Sequence, residues 1–290
     1  MDTEKCKVLL TSIETGSFTA AADKMGYTPS GISRSIAALE EETGFSLLRR
    51  SRSGVVPTAE CQRILPILQE LLRWEECYRQ TAGEILGVET GEIAVGTAYH
   101  IYYPQLCGWI TEFSKSYPGI SVGIVEGTSS ELSRLLEQGR LHFCIISKRE
   151  GNLRWVPLKK DQLVAGVPKG HSIVKRGSVP LSLFETEPFI QIFPGLETDN
   201  SRLFQDKGIR PHIRYATSDD EAAFAMVEAG LGVTVVNAIQ VGDWSGNMEI
   251  LPLDPPEWVE IGIAMPTEEM ISPAAKRFAA FAIKHFSKKE

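Results

Sequence analysis

A chain of 290 residues with 43% apolar residues and a formal net charge of −7 is long enough for two or three domains, each with its own core. Its first residues, Met1-Asp2-Thr3-Glu4-Lys5-Cys6, hold no apolar core or cleavage site, and no apolar run is long enough to span a bilayer; this argues against secreted and membrane-spanning classes and predicts a cytoplasmic protein with no membrane partner. Five cysteines (Cys6, Cys61, Cys77, Cys107, Cys144), odd in number and without a C-x-x-C pair, argue against a disulfide framework and predict free thiols.

The first predicted elements form a helix-turn-helix. Ser17 can N-cap a short helix, Ala20, Ala21 and Ala22 favour it and allow a second helix to approach closely, and Gly26 can end it in the left-handed conformation. Thr28 caps a second helix with Pro29 at its first position, where a missing N–H costs nothing. Ile32, Ile36 and Leu39 should face inward, whereas Ser30, Ser33, Arg34 and Ala37 form a slim polar stripe. A recognition helix needs this shape to enter the major groove of DNA with hydroxyl and guanidinium donors leading; two-helix turns also occur in many other folds.

A candidate wing follows. Gly44 ends the second helix, and Phe45, Leu47 and Leu48 return to the core. Arg49, Arg50 and Arg52, with Ser51 and Ser53, then lead into Gly54 and Val55-Val56, which predicts a small β-ribbon with a cationic tip. Arginines there can pair with phosphates and set the register of the helix on the duplex; the alternative is a solvated charge cluster. Residues 1–58 carry seven basic groups (Lys5, Lys7, Lys24, Arg34, Arg49, Arg50, Arg52) and seven acidic ones, so the whole acidic excess lies downstream. Glu40, Glu41 and Glu42 fall late in the second helix, leaving the wing locally unopposed.

The fixed spacing of Phe18, Ala21, Ala22, Met25, Thr28, Pro29, Ser30, Ile32, Ser33, Arg34, Ile36, Leu39, Glu40, Gly44, Leu47, Leu48 and Arg50 resembles the N-terminal domain of the LysR-type transcriptional regulator family. Leu48, where that family usually has Phe, and Cys61, where it usually has Gly, depart from the pattern. The resemblance implies a winged helix-turn-helix over residues 1–58 that binds pseudo-palindromic double-stranded promoter DNA. Thr28, Pro29, Ser30, Ser33 and Arg34 would meet the major groove, and Arg49, Arg50 and Arg52 the phosphates. It implies a homodimer or homotetramer, with RNA polymerase a candidate further partner. Peroxide sensing, which some members perform through a distal disulfide, is not expected, because no cysteine follows Cys144.

Thr58 can cap a third helix from about Ala59 to about Leu86. Ile64, Leu65, Leu68, Leu71, Leu72, Glu75 and Tyr78 give a stripe suited to a partner helix, which makes residues 59–88 a candidate linker and dimerisation helix; packing on its own domain is the other reading. Pro66 is expected to bend it, and Gly87 and Gly91 to form a hinge.

From residue 89 the pattern changes to alternating strands and helices, predicting a mostly parallel α/β fold. Strands are expected at Ile93–Val95, Ile120–Val125, Leu141–Ile146, Leu163–Val167, Phe189–Ile192, Ile213–Tyr215, Val233–Val236 and Ile261–Ala264. Helices are expected at Tyr103–Phe113, Ser130–Gln138, Asp219–Ala229 and Pro273–His285. The stretches Gly91–Gly96, Leu132 with Leu135, Gly139 with Leu141, and Val227–Val233 resemble the two-lobed, periplasmic-binding-protein-like effector domain of the same family; His142 and Asn237 stand where it commonly has Asp and Pro. Lobe I would span about 89–161 and 262–290, and lobe II about 162–261.

Ligands of open α/β sheets bind beyond the carboxyl ends of strands, near helix N-termini. That rule selects Thr97, Ala98, Tyr99 and His100; Gly127, Thr128 and Ser129; Gln191, Ile192 and Phe193; and Thr217, Ser218 and Asn237. Hydroxyls and free N–H groups there suit a small-molecule co-inducer, with a carboxylate the candidate class; the same residue types also serve as plain helix caps. The histidines are too scattered for a metal site, no catalytic constellation is visible, and no cofactor is expected. A solute-binding protein and a small-molecule enzyme on a doubly wound fold are the alternatives. The N-terminal motif opposes the first and the missing catalytic set the second.

Overall fold

The computed structural model describes residues 2–51, 54–87, 89–242, 244–267 and 271–286. The chain divides into two compact units, Met1–Glu89 and Thr90–Glu290.

The first unit opens with α1 (Thr3–Thr15), a helix not anticipated from the sequence although its ends are marked: Asp2 accepts from Glu4 N–H, and Gly16 closes it in the left-handed conformation. Its Cys6, Val8 and Leu9 are buried and supply one wall of the core. α2 (Phe18–Met25) and α3 (Pro29–Thr43) have the expected caps. Ser17 Oγ accepts from Ala20 N–H at 3.4 Å, Thr28 Oγ1 from Gly31 N–H at 3.1 Å, and Gly26 and Gly44 are left-handed. Ala21, Ala22, Ile32, Ile36 and Leu39 are buried between the helices.

β1 (Leu48–Ser51) and β2 (Gly54–Pro57) pair antiparallel to form the wing. Two contacts fix it. Glu40 Oε1 accepts from the N–H groups of Leu47 and Leu48 at 2.6 and 3.2 Å, and Val55 N–H donates to Gly16 O at 2.7 Å. The second contact requires glycine at 54: its φ is 111°, and a Cβ there would lie 2.3 Å from Gly16 O. Leu47 is in the core and Leu48 packs against it, but Phe45 is exposed, contrary to expectation, because it lies just past the Gly44 cap.

α4 (Ala59–Ile85) is capped by Thr58, whose Oγ1 accepts from Cys61 N–H at 3.1 Å, and continues through Pro66 as one helix. Most of the stripe expected to meet a partner helix faces inward instead: Leu68 is buried, and Ile64, Leu65, Leu71 and Leu72 pack on the core of their own unit. Tyr78, the last member of that stripe, instead lies open to solvent in line with Ile67, Trp74 and Ile85.

The second unit contains, in order, β3 (Gly91–Thr97), α5 (Tyr103–Ser116), β4 (Ile120–Glu126), α6 (Ser129–Glu137), β5 (Phe143–Ser147), β6 (Arg154–Pro168), β7 (Val179–Pro180) and β8 (Phe189–Ile192). It continues with α7 (Asp199–Lys207), β9 (Ile213–Thr217), α8 (Asp220–Glu228), β10 (Thr234–Asn237), β11 (Met248–Met265) and α9 (Pro273–Phe286). The main sheet has the order β10-β6-β11-β5-β3-β4, with β7 beside β11. β8 and β9 form a second ladder, tied to the first where Ile190 N–H donates to Val233 O.

The sheet is mixed, not mostly parallel. β3 pairs parallel with β4 and β5, but the long β6 and β11 are antiparallel to each other, and β11 is antiparallel to β5. These two strands run through both lobes, so the lobes share continuous backbone. One core gathers Val95, Leu106, Phe113, Phe143 and Phe278; others hold Leu163, Phe184, Phe189 and Val235, and Ile190, Phe224 and Val236. Gly230, in the left-handed conformation, ends α8 one residue past its Ala229 cap and donates its N–H to Val227 O at 2.9 Å.

Candidate nucleic-acid interface and effector cleft

The N-terminal turn of α3 presents the expected face. Thr28, Pro29, Ser30, Ser33, Arg34 and Ala37 are exposed, while Ile32 and Ile36 point inward. Arg34 Nε rests on Ser30 O at 3.4 Å, which lays the guanidinium along the slim side of the helix. Arg49 is exposed on β1 and Arg50 shares that strand; Arg52 lies outside the described residues. The lysines are neutralised locally, Lys5 by Glu42, Lys7 by Glu75 and Lys24 by Glu14. Among the described residues neither Arg34 nor Arg49 has a carboxylate partner. The unit's uncommitted cations therefore include the recognition-helix arginine and a wing arginine.

In the second unit a cleft of about 420 Å³ opens between the lobes. Thr97, Ala98, Tyr99, His100, Gly127, Thr128, Ser129, Ile192, Phe193, Ser218 and Asn237 line it, as proposed from the strand-end rule. Gln191 and Thr217 do not. Side chains alternate along a strand, so Ile190 and Ile192 share one face of β8, and Gln191 lines a groove on the other with Phe204 and Ile213. Thr217 offers its carbonyl to Phe193 N–H at 2.8 Å instead. Phe193 has φ 54°, left-handed for a residue other than glycine, next to the ligand space.

Several lining residues act on their own backbone. Thr97 Oγ1 accepts from Tyr99 N–H at 3.1 Å, and Thr128 forms a reciprocal capping box with Glu131 at the start of α6. Asp219 caps α8, accepting from Ala222 N–H at 2.7 Å. At the next position Asp220 is buried, accepts from Gln240 Nε2 at 2.8 Å and lies 4.0 Å from His100 Nδ1. Burial pushes its carboxyl above the usual range, a shift that His100 and Gln240 oppose and Asp219 reinforces. Burial likewise raises Tyr102 to about 12.

The main feature missed from sequence is an ion pair across the lobes. Arg149 Nη2 meets Asp199 Oδ1 at 2.9 Å, with 8% and 7% of the two side chains exposed. The same carboxylate accepts from the hydroxyl of Ser147, from Tyr99 Oη at 2.9 Å and from Asn237 Nδ2 at 3.1 Å. Burial and Asp199 together drive the Tyr99 phenol well above its ordinary value, so it stays protonated and donates. The local signal for Asp199 was its place after Thr198, which caps α7 in a capping box. Its partners lie far away in sequence, and no spacing reveals them. Burial raises the thiols of Cys6, Cys61, Cys77 and Cys144, Cys61 to about 11, which leaves all four poorly nucleophilic.

A winged helix-turn-helix with free arginines on one unit, and an interlobe cleft on an α/β unit, define a one-component class that joins a DNA reader to a ligand sensor. The comparisons with known proteins agree. The bacterial regulatory helix-turn-helix protein, lysR family, matches residues 3–62, and the LysR substrate binding domain matches residues 87–287. The chain belongs to the LysR family of DNA-binding transcriptional regulators. It is 27% identical to the uncharacterized HTH-type transcriptional regulator YvbU of Bacillus subtilis, over 97% of this chain and 98% of that one. Its fold is similar to full-length OxyR from Pseudomonas aeruginosa (TM-score 0.67, 21% identity, covering 99% of this chain and 94% of that one). It is also similar to full-length CbnR complexed with its target DNA (TM-score 0.57, 22% identity, covering 98% and 99%). Among the described residues no helix is long and apolar enough to cross a membrane.

Proposed function

We propose that this regulator reads two half-sites of an interrupted inverted repeat as a homo-oligomer and that a small molecule in the interlobe cleft sets how its DNA-binding units are used. Ser33 and Arg34 contact base edges; Arg49, with Arg50 and Arg52, holds phosphates. The observation that carries this reading is the coincidence on one unit of an exposed Ser30-Ser33-Arg34 stripe and uncommitted arginines. The exposed stripe of α4 supplies the subunit contact. Effector action is a population shift, which requires the ligand to bind one arrangement of the protein better than another. Residues 1–58 serve as the DNA-binding domain, 59–88 as the linker and 89–290 as the sensor, with no catalytic role for the cleft.

The test is to retain fragmented genomic DNA from the source organism on the purified protein at moderate salt and sequence what binds. Discrete sites built on an inverted repeat support the reading. Diffuse, salt-labile retention that metabolite extract does not sharpen contradicts it. For the cleft, Ser218→Ala and Gln240→Ala should blunt the extract's effect on site occupancy; an unchanged response places the effector elsewhere.

A further inference from the structure

We propose that Asp199 sets the ligand specificity of the cleft: its carboxylate fills the cleft's own acid-binding donor set, so the effector of the intact chain is anchored by a group other than a carboxylate. The proposal rests on the reading of the cleft as the effector site and revises the carboxylate class expected from the sequence.

Oδ1 of Asp199 receives the Ser147 hydroxyl and the Arg149 guanidinium, and Oδ2 receives the Tyr99 hydroxyl and the Asn237 amide. A carboxylate has about four lone-pair sites, and all are used. The donors converge from both lobes, Tyr99, Ser147 and Arg149 from one and Asn237 from the other. Asp199 is the first residue of α7, where free N–H groups and the helix dipole favour a negative charge. This is how a protein would bind an acid ligand, except that the acid is its own. Four of the five N–H groups of Arg149 are committed: Nη2 donates one to Asp199, Nε donates to Ser130 Oγ at 2.7 Å, and Nη1 to Ser147 Oγ at 2.7 Å and Lys148 O at 3.1 Å. Among the described residues it is the one guanidinium or ammonium lining the cleft; besides the His100 imidazole, the other ionisable side chains there include the acids Glu126, Glu131, Asp219 and Asp220. An entering carboxylate would face a cluster of acids with the guanidinium already paired to Asp199, a repulsive arrangement of the kind that excludes wrong ligands.

The experiment uses the full-length chain, its Asp199→Ala form and, as a second small replacement that suits a helix N-terminus, Asp199→Ser. Each is titrated with sodium acetate and sodium benzoate against sodium chloride at constant ionic strength and neutral pH. Thermal unfolding and saturation-transfer NMR on the probe anions are read. Both variants should melt below the parent, and acetate should recover a rise of about 2–4 °C in them while leaving the parent unmoved. Adding Arg149→Met to either variant should abolish that rise. An Arg149-dependent response to acetate or benzoate in the parent, or none in either folded variant, overturns the proposal. The effector reading is judged separately, by metabolite extract on DNA occupancy of the unsubstituted chain, so the two can fail independently.

Discussion

At the scale of single residues, chemistry separates roles that charge alone would merge. Arg34 lies on the slim face of α3 and Arg49 on the wing, and neither has a carboxylate partner among the described residues. Arg34→Ala should cost about 1–3 kcal/mol on the preferred site and relax base preference at one position, read by binding to a panel of single-base variants. Arg49→Ala should weaken binding to every sequence alike and lower the log–log salt slope by about one. If both substitutions gave the same pattern, the division between base and phosphate contacts would be wrong. Asp220 gives a pH prediction. Its carboxyl is raised by burial, so its contribution to stability is fully present below the unfolded carboxylate value and is lost as pH rises through the higher folded one. Asp220→Asn can keep the Gln240 contact without the charge. It should therefore melt higher than the parent at pH 7, with the gap closing as the pH falls into the carboxylate range. A gap that widened in acid would show that the ionised form and its neighbour His100 dominate instead.

Elements show where local rules suffice. The caps of α2, α3 and α4 were legible because Ser17, Thr28 and Thr58 act within three residues of themselves. The strand-end rule found much of the cleft lining, because it needs only strand ends and helix starts. Three things escaped it. β11 contains Pro252, Pro255 and Pro256, which argue against a strand, yet they fall at or inside the gap between Pro252 and Glu257 where the ladder with β6 shifts register. Gln191 was placed in the cleft because the rule marks a strand end and ignores which face each side chain takes. Asp199 has ordinary neighbours, and only the fold brings Tyr99 and Asn237 to it. Gly54 falls in the predicted ribbon, but its larger constraint is tertiary: the Gly16 carbonyl stands where a Cβ would be. Gly54→Ala should therefore destabilise the first unit by more than about 2 kcal/mol in denaturant unfolding. A loss below about 0.5 kcal/mol would mean that the wing relaxes away from α1 at little cost.

For the whole molecule, the question is how a chain with net charge −7 holds DNA at all. Residues 1–58 are electrically neutral, so one copy brings few phosphate contacts and affinity must come from joining two copies. The exposed stripe on α4 is suited to that. Ile67, Trp74, Tyr78 and Ile85 are 65%, 55%, 76% and 81% exposed and stand seven, four and seven residues apart, close to one line along the helix. At about 1.5 Å per residue the line runs about 27 Å, long enough for a second copy of α4 to cover. Leaving four large apolar side chains in water is unfavourable at about 25 cal/mol per Å², which favours pairing, and the inward stripe of the same helix is already committed to its own core. Replacing Ile67 and Tyr78 with Glu should leave the helical circular dichroism intact, since neither side chain serves the core, and should shift the sedimentation mass down to a smaller assembly. The affinity for an intact inverted repeat should then fall by about 10²–10⁴-fold, toward that for a single half-site, because the second contact is no longer intramolecular. A doubly substituted chain that kept both its mass and its affinity would place the subunit contact on another surface and leave the α4 stripe without a role in DNA binding.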